Sequence, residues 1–336
     1  MTLTLLTSGV LLLAVHLIIT GFHDAPNAVA VAVRSRALTT MRAVSVSAFF
    51  NLVGVLLAGF VLANYSQGWI NVPSTSAGLA MLIATLISVI LWGLLTWFLR
   101  MPSSSTHAII GGLFGASWAA SAVNLHHQDV FHQSFWTLVF LPLLLAPALV
   151  FVASWALVFP GYAIARRSYP RAVNSLSRYA LSLSNSAISL GHGIQTGQKA
   201  TILLLLMFTA ANYELTPSVL ALSFIITGIV LAFGTVLGGW RIGRTISTRM
   251  VRIDPFRGAI AQLTTASVML FGGLALNAPV SSSHVAASSV VGAGVNQRFN
   301  ALRLPIISHV LITWAATIPA TFCLSAIIML ALSPLV

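Results

Sequence analysis

Long apolar runs alternate along the chain with short polar or basic breaks. Runs such as Ala77–Leu99, Phe135–Phe159 and Pro217–Trp240 match the ~20 residues that a helix needs to cross a bilayer. Taken in order, the pattern predicts membrane segments over 2–33, 43–63, 77–99, 103–122, 135–160, 180–211, 217–240, 259–278, 281–296 and 304–333, about 10–12 in all if the long ones are divided. Segments 2–33 and 180–211 exceed one straight span and contain Gly, Pro and polar residues, so broken helices are expected there. Re-entrant hairpins are expected at the serine-rich stretches that open 103–122 and 281–296.

Composition agrees. The 336 residues are 58% hydrophobic and 6% charged, with a mean hydropathy of +0.97, whereas a soluble domain carries roughly 25% charged residues. The chain is therefore read as an integral membrane protein.

A net charge of +12 raises the question of nucleic acid, but the arginines are not gathered into one patch. They lie in clusters between apolar runs, at Arg34, Arg36 and Arg42, at Arg166, Arg167, Arg171 and Arg178, and from Arg241 to Arg257. The alternate loops, Asn64–Ser76, Asn124–Gln133 and Asn212–Thr216, hold no Lys or Arg. This is the asymmetry of cytoplasmic against extracytoplasmic loops, so the basic excess orients the protein and no nucleic acid partner is expected. It predicts a multi-pass protein of the cell membrane with both termini outside. Cys323 is the only cysteine, which excludes disulfides and cysteine metal sites within one chain. No basic residue precedes the first apolar run, so a cleaved signal peptide is not expected.

"PSSSTHAIIGGLFGAS" from Pro102 is echoed by "PVSSSHVAASSVVGAG" from Pro279, with six of sixteen positions identical. The crossing order takes the first copy outward and the second inward. The fold class predicted is an all-α integral membrane protein of two inverted-topology repeats, the plan of secondary transporters. The repeats are residues 1–165 and 180–336, joined by a basic cytoplasmic linker at 166–179.

The chemistry is concentrated in four stretches. In "TGFHDAPNAVAVAV", Asp24 lies near membrane depth beside His23, with Asn27 one turn on and on the same helix face. A carboxylate in hydrocarbon is costly and marks an ion or proton path by default; the plainer reading is a cap or a helix–helix hydrogen bond. In "SLGHGIQTGQKATI", aligned on Gly21 and Gly193, Gln195 takes the place of His23, Thr196 that of Asp24 and Lys199 that of Asn27. Lys199, the only lysine, is either embedded or snorkels to an interface. The two serine stretches place hydroxyls at proline-led helix starts, where free N–H groups and the helix dipole favour anions. The plainer reading there is close helix packing. Two such starts converging from opposite sides would hold one oxyanion near the midplane. With Asp24 present, a cation must arrive with it, which is the logic of a symporter.

At these residues the chain resembles the inorganic phosphate transporter (PiT) family. The first family signature is matched by Gly21, His23, Asp24, Asn27 and Ala28, and the second by His192, Gly193, Gln198 and Lys199. The two Pro-x-Ser-[ST]-[ST]-His elements are Pro102–His107 and Pro279–His284. The resemblance implies symport of inorganic phosphate by alternating access, driven by H⁺ or Na⁺, with the anion between the repeats. It places phosphate on Ser103, Ser104, Ser105, Thr106, Gln198, Ser281, Ser282 and Ser283. The co-ion falls to Asp24, Asn27 and Thr196, and gating or proton-linked roles to His23, His107, His192, Lys199 and His284. The usual Asn-Asp of the second signature is here Gln195–Thr196, so one expected carboxylate is missing, and H⁺ is favoured over Na⁺.

A sulfate or other oxyanion permease is the alternative, and a cation channel or carrier the second. A non-transporting scaffold and, last, an enzyme remain as other classes. No nucleotide-binding motif of the P-loop type occurs, no cofactor or metal is called for, and a homo-oligomer in the bilayer is compatible with the sequence.

Overall fold

The computed structural model describes the chain except residues 63–68, 128, 275–279, 296 and 298–301, together with the side chains of 60–62 and 273–274. Pro279 of the second serine stretch therefore lies outside the described residues. The fold is built of helices α1 (Thr2–Arg34), α2 (Thr40–Leu62), α3 (Ser76–Leu99), α4 (Ser105–Ala122), α5 (Gln133–Phe135), α6 (Leu141–Ala165), α7 (Pro170–Ala210), α8 (Pro217–Leu237), α9 (Trp240–Arg244), α10 (Pro255–Leu274), α11 (Ser282–Val295) and α12 (Leu304–Leu332). A π turn, Trp136–Phe140, joins α5 to α6. Six helical segments among the described residues are long and apolar enough to cross a membrane on their own. Of the others, α4, α7 and α11 bury serines, threonines and histidines against their neighbours.

Much of the surface is apolar, as a bilayer requires, and polar side chains are buried in the interior. Leu11, Phe49, Leu149, Ile229 and Ile312 are exposed, while Asn27, Ser88, Asn185, Thr265 and Ser289 are buried. Two buried apolar clusters flank a polar layer. One gathers Leu6, Leu82, Leu113 and Met207; the other gathers Val31, Ile246, Met250 and Val290. Along α1 the order is Leu6 to Leu17, then the polar run from Thr20 to Asn27, then Val31 and Ala32.

The break expected in the first long segment is not made. α1 continues through Pro26, although proline deprives the carbonyl four residues earlier of its donor. That carbonyl belongs to Phe22, and it faces Gly239, where a Cβ would lie 2.0 Å from it. Close backbone approach at a glycine thus covers the orphaned carbonyl. α7 is also continuous over 41 residues, roughly 60 Å at ~1.5 Å per residue, and its first turns carry the exposed Arg171 and Arg178. The serine stretches instead open the second arms of two helical hairpins, α3–α4 and α10–α11. α3 ends with Arg100 in the left-handed conformation (φ 65°), and Pro102 prevents the helix from resuming at once.

The packing repeats itself under an exchange of halves. α2 lies on α7 as α8 lies on α1; α4 lies on α12 as α11 lies on α6; α1 meets α3 as α7 meets α10. The close crossings obey the same exchange. Gly21 and Gly234 bring α1 onto α8, and Gly193 and Gly54 bring α7 onto α2. Gly115 presses on the Phe322 carbonyl of α12, and Gly292 on the Phe151 carbonyl of α6. Gly115 and Gly292 differ by 177, the offset that separates the two serine stretches. Even the isolated bridges pair up, Ile70 with Phe131 and Val251 with Leu302. The molecule is an all-α membrane fold of two inverted repeats, and each repeat's last long helix holds the other repeat's hairpin.

Candidate functional site

Between the apolar clusters, α1 and α7 cross beside the starts of α4 and α11. Asp24, buried on α1, accepts hydrogen bonds from Ser283 (Oγ to Oδ1, 3.0 Å) and Ser282 (Oγ to Oδ2, 3.2 Å). Asn27, one turn on, donates from Nδ2 to the same two hydroxyls at 3.1 and 3.3 Å. Since the amide can only donate there, each serine proton is left to point at the carboxylate. The counterpart on α7 makes the mirrored contact. Lys199 Nζ donates to Thr106 Oγ1 at 3.1 Å and to Ser105 Oγ at 3.4 Å. Each repeat's long helix therefore grips the serine cluster of the other repeat.

The residues preceding these contacts fix the hairpins. His23 reaches Asp24 Oδ1 with Nδ1 (3.3 Å) and Thr96 Oγ1 with Nε2 (3.1 Å), while Ser103 lies 3.0 Å from Thr96. Gln195, at the equivalent place on α7, donates to the Met269 carbonyl (3.0 Å) and accepts from the Val280 N–H (2.9 Å). Ser104 and Ser281 cap their own helices, accepting from the N–H groups of His107 and His284. These two histidines stack with ring centroids 4.7 Å apart. Trp314 of α12 covers His284 at 4.0 Å and donates to the Pro102 carbonyl.

His192 is held differently. Thr235 donates its hydroxyl proton to the Leu231 carbonyl, so its oxygen must accept from Asn51 Nδ2 at 2.9 Å. That orients the amide with Oδ1 toward His192 Nδ1, 3.0 Å away, and this ring nitrogen must carry a hydrogen. The other nitrogen, Nε2, lies 3.3 Å from Asp24 Oδ2 and 3.3 Å from Thr196 Oγ1. The Nε2 lone pair of a neutral Nδ1–H imidazole can accept from the Thr196 hydroxyl, but toward Asp24 it offers no hydrogen. The contact is attractive when the pair holds one further proton, on either partner.

Of the residues singled out in the sequence, Asp24, Asn27, His23, His192, Thr196, Ser103, Ser282 and Ser283 are joined in one network of contacts, and Lys199, Ser105 and Thr106 form a second beside it. Gln198 is buried nearby in α7, and its Nε2 has no partner among the described residues, like Asn27 Oδ1 and His284 Nε2. Buried polar atoms without partners are uncommon and mark places for water or a ligand. A pocket of about 20 Å³ lies against Asp24, His23 and Ser103 to Ser105, room for about one water-sized group. Asn51, Thr96 and Thr235 were missed by the sequence reasoning. A lone asparagine in the apolar run of α2 was a legible signal; threonines, common in membrane helices, were not.

The sequence profile described as the phosphate transporter family matches residues 20–167 and 161–325. The chain is 31% identical over 311 residues to a probable low-affinity inorganic phosphate transporter of Rhizobium meliloti (strain 1021), covering 91% of this chain and 90% of that protein. It is 30% identical over 310 residues to one of Bacillus subtilis (strain 168), covering 92% and 91%. A solved structure described as the sodium-dependent phosphate transporter is similar in fold, with a TM-score of 0.77 at 18% identity, covering 99% of this chain and 100% of that one.

Proposed function

The chain belongs to the phosphate transporter family, and from that premise we propose that it moves inorganic phosphate across the cell membrane by symport with protons. The phosphate oxygens are taken by hydroxyls at the two hairpin starts, Ser103 to Thr106 and Ser281 to Ser283, with Gln198 and Lys199 adding donors. Asp24 gives preference over sulfate. A carboxylate can accept a hydrogen bond from a protonated phosphate oxygen, and sulfate at neutral pH has no such proton to offer.

The observation that carries the proton assignment is the contact between His192 Nε2 and Asp24, given an Nδ1–H fixed by Asn51 and Thr235. A proton held by this pair lowers the negative charge that the anion meets. Thr196, where the family signature has a carboxylate, leaves Asp24 as the one acid in the layer for a co-transported cation. The pocket beside Asp24 is lined by α1, α3 and the start of α4, so an anion held between both serine clusters requires the α4 and α11 starts to part. Alternating access then follows if the parting occurs toward one face at a time, with the apolar clusters closing the other.

Uptake of labelled phosphate into proteoliposomes, with the pH and Na⁺ gradients imposed separately, tests the reading. Accumulation driven by an inward proton gradient without Na⁺ is expected, with little competition from sulfate. Accumulation that needs Na⁺ alone would reassign the co-ion, and cation flux in the absence of any anion would remove the symporter reading.

A further inference from the structure

A second and larger cavity, about 430 Å³, lies beside the polar layer between α4, α7 and the segment before α3, within the size range of small-molecule pockets. Its inner end is formed by Lys199 and Thr106, and its outer end reaches Ser74 and Thr209, exposed where α7 stops. Between them the wall is largely aliphatic and aromatic, including Ile70, Ile110, Phe131, Val139 and Leu206. Lys199 has no acidic partner among the described residues: Asp24 is met by His23 and His192, and Asp254 by Arg257. A sequestered ammonium without a counter-ion favours an anion. The wall asks for something else, since a hydrated inorganic ion gains nothing from apolar surface. An anion that carries a hydrocarbon group satisfies both ends.

We propose that this cavity binds oxyanions bearing a short apolar substituent, alkylphosphonates being the simplest. The head group sits on Lys199 Nζ and Thr106 Oγ1, and the alkyl group lies along Ile110 and Leu206. The position of the head rests on the reading of Ser105 and Thr106 as phosphate ligands, while the tail site stands on the cavity alone. Such a ligand enters from the side where Ser74 and Thr209 are exposed and blocks the hairpin start of α4 once bound.

The test uses the full chain in lipid nanodiscs, with the thermal unfolding midpoint measured against methyl-, butyl- and hexylphosphonate. Affinity is expected to rise roughly three- to four-fold per methylene buried. Leu206→Trp fills the cavity and should flatten the series, as should Val139→Phe from the opposite wall if the first variant does not fold. Lys199→Gln should weaken all three ligands by a similar factor and leave the slope. A flat series in the unaltered chain overturns the proposal. So does a slope that survives the filling variants, because it then comes from partition into the bilayer. Phosphate uptake by the same preparation separates the two ideas. A slope without phosphate uptake removes the transport reading and leaves the cavity site, and uptake without a slope does the reverse.

Discussion

Asp24 accepts from two serine hydroxyls and faces two imidazoles, so neutralising it should act on coupling more than on shape. Asp24→Asn is expected to abolish gradient-driven accumulation of phosphate while exchange across the membrane continues at a reduced rate. Asn51→Ala makes a finer distinction. Without the Asn51 acceptor, His192 can place its single hydrogen on Nε2 and donate to Asp24 with no additional proton. Proton-driven accumulation should then fall, by roughly ten-fold if the lost bond is worth ~1.4 kcal/mol, while phosphate–phosphate exchange persists. If accumulation and exchange fall together, Asn51 serves folding and the proton assignment loses its support. At this scale the sequence was informative where chemistry is rare. A carboxylate and a lysine in apolar runs declare themselves, and so does a serine cluster that occurs twice. The hold on His192 was not legible, because Asn51 and Thr235 lie on helices far away in the chain, and only their meeting gives them a role.

Helices here touch at glycines, and the touching points are the places where added volume has nowhere to go. A Cβ on Gly115 would lie 2.1 Å from the Phe322 carbonyl, and one on Gly292 would lie 2.3 Å from the Phe151 carbonyl. Gly115→Val and Gly292→Val should therefore each destabilise the fold by roughly 1–3 kcal/mol or more, seen as a lower unfolding temperature of the purified protein. The two losses should be similar, since the crossings are equivalent. An unequal pair, with one variant like wild type, would show that the equivalence is only approximate. Helix positions were legible from apolar runs, and the ten long helices among the described residues follow the ten runs read from the sequence. Continuity at Pro26 was not, because it depends on Gly239 reaching the Phe22 carbonyl, a contact between segments that no local pattern records.

For the whole molecule, the arginine clusters define an orientation that labelling can check. In a background lacking Cys323, single cysteines at Arg36, Arg171 and Arg252 should react from one face only. Those at Asp129 and Glu214 should react from the other. All five positions are exposed. Labelling of positions 129 and 171 from the same face would contradict the proposed membrane orientation. The inverted plan itself was legible from one offset in the sequence together with the alternation of charge. How the halves interlock was not, because sequence similarity between repeats says which helices correspond and nothing about which of them touch.

That interlock bears on how the protein is made. α4 rests on α12, which leaves the ribosome only after the whole of α6 to α11 has been made. Through most of synthesis the glycine face of α4 has no partner, and Asp24 is already in the bilayer before Ser282 and Ser283 exist. The nascent first half is thus an incomplete object whose polar layer must be sheltered by lipid, water or the insertion machinery until the chain is finished. A truncation within α12 should harm α4 in the other repeat, and neither half should mature when expressed without the other.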